Sequence, residues 1–92
     1  FHYVLCLSEA KGMNIIMKCK VALKSVNDVK AFVNITFRAE KDVDIHYGKY
    51  HIDGKSIMGI FSLELDKPIE VELDDHDAEK LLGELERFIV EE

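Results

Sequence analysis

The chain reads as an α+β domain, an antiparallel sheet of half-apolar strands with helices packed on one face. Two observations predict this. Apolar residues alternate singly in four short segments and recur at helical spacing in two longer ones. The elements also follow the order β-α-β-β-α-β-α, without repeats or low-complexity tracts. Striped helices on one side of such a sheet bury both kinds of apolar surface at once.

From Asn14 to Val21, the residues Ile15, Met17, Cys19 and Val21 alternate with Ile16, Lys18 and Lys20, the period of a half-buried strand. Val26, Val29, Phe32, Val33, Thr36 and Phe37 then share one face of a helix expected over Val26 to Ala39. Ser25 caps it, with Asp28 three residues on in a capping-box-like arrangement. Val43, Ile45 and Tyr47 alternate with Asp44 and His46 in a second strand. Gly48-Lys49 is a two-residue hairpin turn with glycine first, and Tyr50 to Asp53 is the returning strand. Asp53 and Gly54 make a turn, after which the Ser56 hydroxyl can accept from the first free N–H groups of a short helix. That helix presents Ile57, Met58, Ile60, Phe61 and Leu63 within seven residues, too many for one short inner face. Ile57, Met58 and Phe61 are therefore expected to be partly exposed and to form a partner-docking patch. Pro68 breaks the chain before Ile69, Val71 and Leu73 alternate with Glu70 and Glu72. Asp74, Asp75 and Asp77 surround the start of the last helix, where the dipole favours acids, and Ala78, Leu81, Leu82, Leu85, Phe88 and Ile89 form its stripe.

Ninety-two residues make one domain with a single core and no room for a deep substrate cavity. The net charge of −6 argues against nucleic acid or an anionic membrane as the main partner. Ten of the 18 acidic residues lie between Glu70 and Glu92, so the C-terminal quarter is the acidic part. No apolar run approaches the roughly 20 residues of a membrane span. Cys6 and Cys19 lack metal-ligand spacing, and a single possible pair argues against a disulfide framework, so a reducing cytoplasm is expected. Phe1 to Gly12 is expected to lie outside the fold, as an extension, an expression remnant or a misplaced start, although its β-prone composition suits an extra edge strand. Residues 13–92 then form the domain. No nucleophile–base pair and no phosphate-cradling glycine loop stands out, so the chain reads as non-enzymatic, without cofactor. Across the hairpin His46 faces His51 and Asp44 faces Asp53, a set that could hold a transition metal. A solvated polar face is the better reading of it.

The block Lys55-Ser56-Ile57-Met58-Gly59 resembles the HPr family, the small phosphocarriers of the bacterial sugar phosphotransferase system. That family carries a Lys-Ser-Ile-Met-Gly block at the start of its short second helix. The resemblance implies the HPr-like open-faced β-sandwich over roughly residues 14–90, in agreement with the periodicity. Family members carry phosphate on a histidine just ahead of the first helix, in a Gly-x-His-Ala-Arg-Pro-like segment. Counting back from Ser56 without a gap puts that histidine at Ser25, the arginine at Asn27 and the proline at Asp28. A hydroxyl is a poor substitute for an imidazole nitrogen, Asn27 offers no cationic fork, and Asp28 adds a negative charge. The phosphocarrier position is therefore expected to be degenerate. In many Gram-positive members the serine matching Ser56 is phosphorylated by a dedicated kinase, and the product binds a catabolite-control repressor. The resemblance thus implies a regulatory or adaptor protein of the catabolite-repression branch, with a serine kinase and a transcriptional regulator as partners. The alternative is an interaction module unrelated to sugar transport, in which Ser56 is only a helix cap.

Overall fold

In β2 (Asn14–Val21) and β5 (Ile69–Asp74), alternation decides which face is buried. Antiparallel pairing sets Met17 opposite Leu73, Cys19 opposite Val71 and Val21 opposite Ile69. On β3 (Val43–Tyr47), Val43 and Ile45 continue the same rows beside Leu73 and Val71. The computed structural model describes residues 7–12 and 14–90. In it β1 (Leu7–Lys11) and β4 (Tyr50–Asp53) are the two edges of a five-stranded antiparallel sheet of order β1-β2-β5-β3-β4. The helices α1 (Val26–Thr36), α2 (Ile57–Phe61) and α3 (Asp75–Leu85), with a closing 3-10 turn at Glu86–Phe88, complete the order. This is the expected α+β architecture with one added strand.

The core is a single cluster. Val29, Phe32 and Ile35 of α1, Ile60 of α2, and Ala78, Leu81, Leu82 and Leu85 of α3 meet the apolar strand rows. Phe32 and Phe88 pack edge to face with ring centroids 6.5 Å apart, the favoured arrangement for two aromatic quadrupoles. The stripe expected on α1 needs correction. Ile35 is buried, whereas Val26 is 57% and Phe37 71% exposed. At 100° per residue Val26 and Phe37 lie roughly 120–140° around α1 from Phe32, outside the arc that buries Val29, Phe32, Ile35 and Thr36. Arg38 and Ala39 donate to the Ile35 and Thr36 carbonyls, so the chain tightens into a 3-10-type turn and Phe37 lies past the last helical residue.

Caps and ties follow local chemistry. Ser25 Oγ accepts from the Asp28 amide at 3.1 Å, while Asp28 Oδ2 accepts from Lys24 N rather than from Ser25 itself. The reciprocal half of the expected capping box is thus shifted by one residue. Of the acids at the start of α3, Asp74 caps the helix through His76 N. Asp77 turns inward, 1% exposed, and its two oxygens accept from Glu40 N at 2.9 Å and Lys41 N at 3.0 Å. It pins the α1–β3 loop to α3. Two exposed pairs reinforce that contact, Arg38–Glu84 at 2.6 Å and Lys80–Glu40 at 2.7 Å. The Arg38 hydrogen bond holds the Glu84 carboxyl below its usual range, and Lys80, then His76, do the same for Glu40. Solvent screening makes such pairs minor contributors.

Leu7–Lys11 forms the extra edge strand that its composition suits, pairing from Leu7↔Lys18 to Lys11↔Asn14. Phe1 to Cys6 of the expected extension lie outside the described residues. Cys19, 3% exposed, is disulfide-bonded and not a free thiol as the sequence suggested. Among the described residues no helix is long and apolar enough to cross a membrane.

Two outcomes are expected. Asp77→Ala leaves two loop N–H groups without their acceptors and should cost about 2–3 kcal/mol in urea unfolding; an unchanged midpoint would show that water replaces the carboxylate. A chain starting at Met13, compared under reducing conditions, keeps every core residue named above. It should still melt cooperatively, within a few degrees of the full chain, a cost of about 1 kcal/mol. Loss of the cooperative transition would make β1 an integral strand.

Candidate functional site

The turn that follows β4 is held from three directions. Asp53 Oδ1 accepts from Lys55 N at 2.9 Å, and the Asp53 carbonyl accepts from Ser56 N at 3.1 Å, which closes the turn on itself. Gly54 N donates to the Val43 carbonyl at 2.6 Å. A Cβ at residue 54 would lie 2.6 Å from Val43 Cγ1, so only glycine fits this approach. From the far end of α1, the Thr36 hydroxyl lies 2.8 Å from the Gly54 carbonyl, and Lys55 Nζ donates to the Ala39 carbonyl at 2.9 Å.

Ser56 leaves this turn extended, at φ −98 and ψ 105, and its Oγ accepts from Gly59 N at 3.1 Å. It is the N-cap of α2, as the sequence suggested, and it is half-buried. Ile60 plugs the core at 0% exposure, and α2 packs on β4 and α1 around it. Met58, on the opposite side, is 75% exposed and Phe61 is 40% exposed. Ile57 is half-buried against the core with Leu63. The outward patch is therefore Met58 and Phe61, with Ile57 at its margin. Gly59 is forced by packing: a Cβ there would sit 2.8 Å from Ile52 Cγ2 and 3.2 Å from Ser56 Oγ.

Ser25 and Asn27 are exposed, and Asp28 is half-buried. The Ser25 hydroxyl and the Asp28 carboxylate are both engaged in capping α1. A shallow groove runs here, lined by Ser25, Val26 and Val29 on one side and Phe61, Leu63 and Leu65 on the other. The structure thus brings Ser25 and Phe61 to one surface, which residue-by-residue reading missed. The available signal is Val26, an apolar residue at the first position of α1 and at the margin of its stripe.

On the hairpin, His46 pairs with His51 and Asp44 with Asp53, the register expected from the Gly48-Lys49 turn. The imidazoles stack at 4.5 Å. His46 Nε2 points to Glu72 Oε2 at 3.2 Å, and His51 Nε2 to Asp44 Oδ1 at 3.2 Å. The first approach is close but not aligned as a hydrogen bond. Because each ring is aimed at a different carboxylate, the donors diverge. Among the described residues no three such side chains are placed to hold a metal ion.

The antiparallel sheet with its helices and the Ser56 cap at the head of the short second helix are the arrangement that the resemblance implies. A family model described as the PTS HPr component phosphorylation site matches residues 27–91. The chain belongs to the HPr family. No curated protein and no solved structure matches it significantly. Members of the HPr family are phosphocarriers of the phosphotransferase system, working through other proteins rather than as catalysts. Ser25 lies just ahead of the matched span.

Gly59→Ala tests the packing of α2. Overpacking against Ile52 outweighs the gain in helix propensity, so a net loss of about 1–2 kcal/mol is expected in chemical unfolding. A neutral or stabilising effect would show that β4 yields to the added methyl.

Proposed function

We propose that this HPr-family protein is a non-enzymatic regulatory or adaptor protein that does not carry phosphate on a histidine and engages protein partners around Ser56. One observation carries the reading. Where the family's segment has histidine, arginine and proline, this chain has Ser25, Asn27 and Asp28, and Ser25 Oγ and Asp28 Oδ2 are committed to the cap of α1. A phosphoryl group at Ser25 would displace that cap and face a carboxylate.

Ser56 is the proposed regulatory position, with Ile57, Met58 and Phe61 as the docking residues beside it. The partners this reading calls for are a serine kinase and a transcriptional regulator, in the bacterial catabolite-repression branch. The net charge of −6 speaks against nucleic acid or a membrane. The cytoplasm is the proposed compartment, where the Cys19 disulfide would be reduced. A second reading has its own support: Ser56 Oγ already accepts from Gly59 N and is half-buried. In that reading Ser56 is a cap only, and the protein is an interaction module unrelated to sugar transport.

Intact mass decides between them. Incubation with phosphoenolpyruvate and the phosphotransferase system's general enzyme should leave the mass unchanged; one acid-labile phosphate would overturn the loss of carrier function. With ATP and the dedicated serine kinase of a Gram-positive family member, one acid-stable phosphate should appear and be absent from Ser56→Ala. The added charge of roughly −1.5 to −2 should leave circular dichroism unchanged while altering partner binding. A protein the kinase leaves unmodified would be the interaction module.

A further inference from the structure

We propose that Thr36 is a positioning residue for Ser56: from the last turn of α1 its hydroxyl, through the Gly54 carbonyl, sets the pose in which a partner meets Ser56. The proposal rests on Ser56 being the partner-facing residue of the reading above.

A threonine inside a helix ordinarily satisfies its hydroxyl on a carbonyl three or four residues back. Thr36 has that option, Val33 O at 3.2 Å, but its closer acceptor is Gly54 O at 2.8 Å, across a separation of 18 residues. The side chain is 0% exposed, and Gly54 is buried with its amide given to Val43. Removing the hydroxyl therefore leaves a carbonyl that water does not readily reach, which is the costly way to lose a hydrogen bond. Lys55 Nζ adds a second tie to the same end of α1, at Ala39 O. These bonds enclose Gly54 and Lys55, the two residues directly before Ser56. On the other side, Ser56 is fixed by Asp53 O and Gly59 N. Apolar packing alone would fill the space but not orient the turn. Valine, with threonine's shape and no hydroxyl, separates the two contributions.

The experiment compares wild type, Thr36→Val and Thr36→Ser. Amide exchange at Lys55, Ser56 and Ile57 is read by NMR, the kcat/KM for Ser56 phosphorylation is measured with the Gram-positive serine kinase, and melting monitors the global fold. In Thr36→Val the turn amides should exchange roughly tenfold faster, and phosphorylation should change by a similar factor. Thr36→Ser keeps the hydroxyl and should restore wild-type exchange and phosphorylation, although loss of a buried methyl lowers its melting temperature. If serine and valine behave alike, or if both readouts simply follow melting temperature, Thr36 is a core residue and the proposal falls. If wild-type protein takes no phosphate, the regulatory reading of Ser56 fails by itself, and the exchange comparison still decides whether Thr36 sets the turn.

Discussion

At Gly54 the chain approaches β3 so closely that no side chain fits, and the position of α2 follows from that contact. The Gly54 amide gives its hydrogen to Val43 O, and the space a Cβ would need is occupied by Val43 Cγ1. With residue 54 held there, Ser56 falls one turn ahead of Gly59 and caps α2, and Ile60 drops into the core. Successive helical residues are about 100° apart, so an inward Ile60 sends Met58 outward and leaves Ile57 and Phe61 at the flanks. The exposed patch is thus a geometric consequence of how residue 54 is held beneath it, by Val43 on one side and Thr36 on the other.

The two capping serines look alike and differ in their surroundings. Ser25 Oγ and Ser56 Oγ each accept from an amide three residues on, both at 3.1 Å. The first turn of α1 contains Asp28, whose carboxylate stands beside the cap, whereas the first turn of α2 contains no acid. The nearest carboxylate before Ser56, that of Asp53, accepts from Lys55 N. An added anion at Ser25 would meet a like charge inside the helix's first turn, whereas at Ser56 the neighbouring carboxylate, Asp53, lies outside the helix. The two caps thus share one geometry and differ in the charge within the first turn of the helix they start.

Strands and turns were legible in the sequence because alternation has a period of two, and a slip by one would turn every apolar residue outward. Asn14–Val21, Val43–Tyr47 and Tyr50–Asp53 agree with that reading, and the Ser56 cap was visible from its block. The face of α1 was less legible. Val26, Val33 and Phe37 lie together at one margin of the stripe, and the arc that packs is centred on Phe32 and reaches Ile35 instead. Tertiary polar contacts were not legible at all. Nothing local distinguishes Asp77, which reaches two loop amides, from Asp75 in the same turn, and Thr36 read as one more apolar-face residue. Such bonds join residues 18 to 37 positions apart, which no periodicity encodes. The Cys19 disulfide was missed for another reason, since a single pair of cysteines forms no framework that spacing could reveal.

The N-terminal strand and the candidate site lie at opposite edges of the sheet. The order β1-β2-β5-β3-β4 puts β1 on one edge and β4, on which α2 packs, on the other. β1 pairs with Asn14 to Lys18, whereas Ser25 follows the far end of β2, beyond Val21. Both walls of the groove, at Ser25 and at Phe61, are therefore built without β1. A strand added there pairs the outer side of β2 and moves the open edge from β2 to β1. It does so at no cost to the geometry around Ser56. The β4 edge is short and carries His51 and Asp53, the kind of polar termination that discourages further pairing.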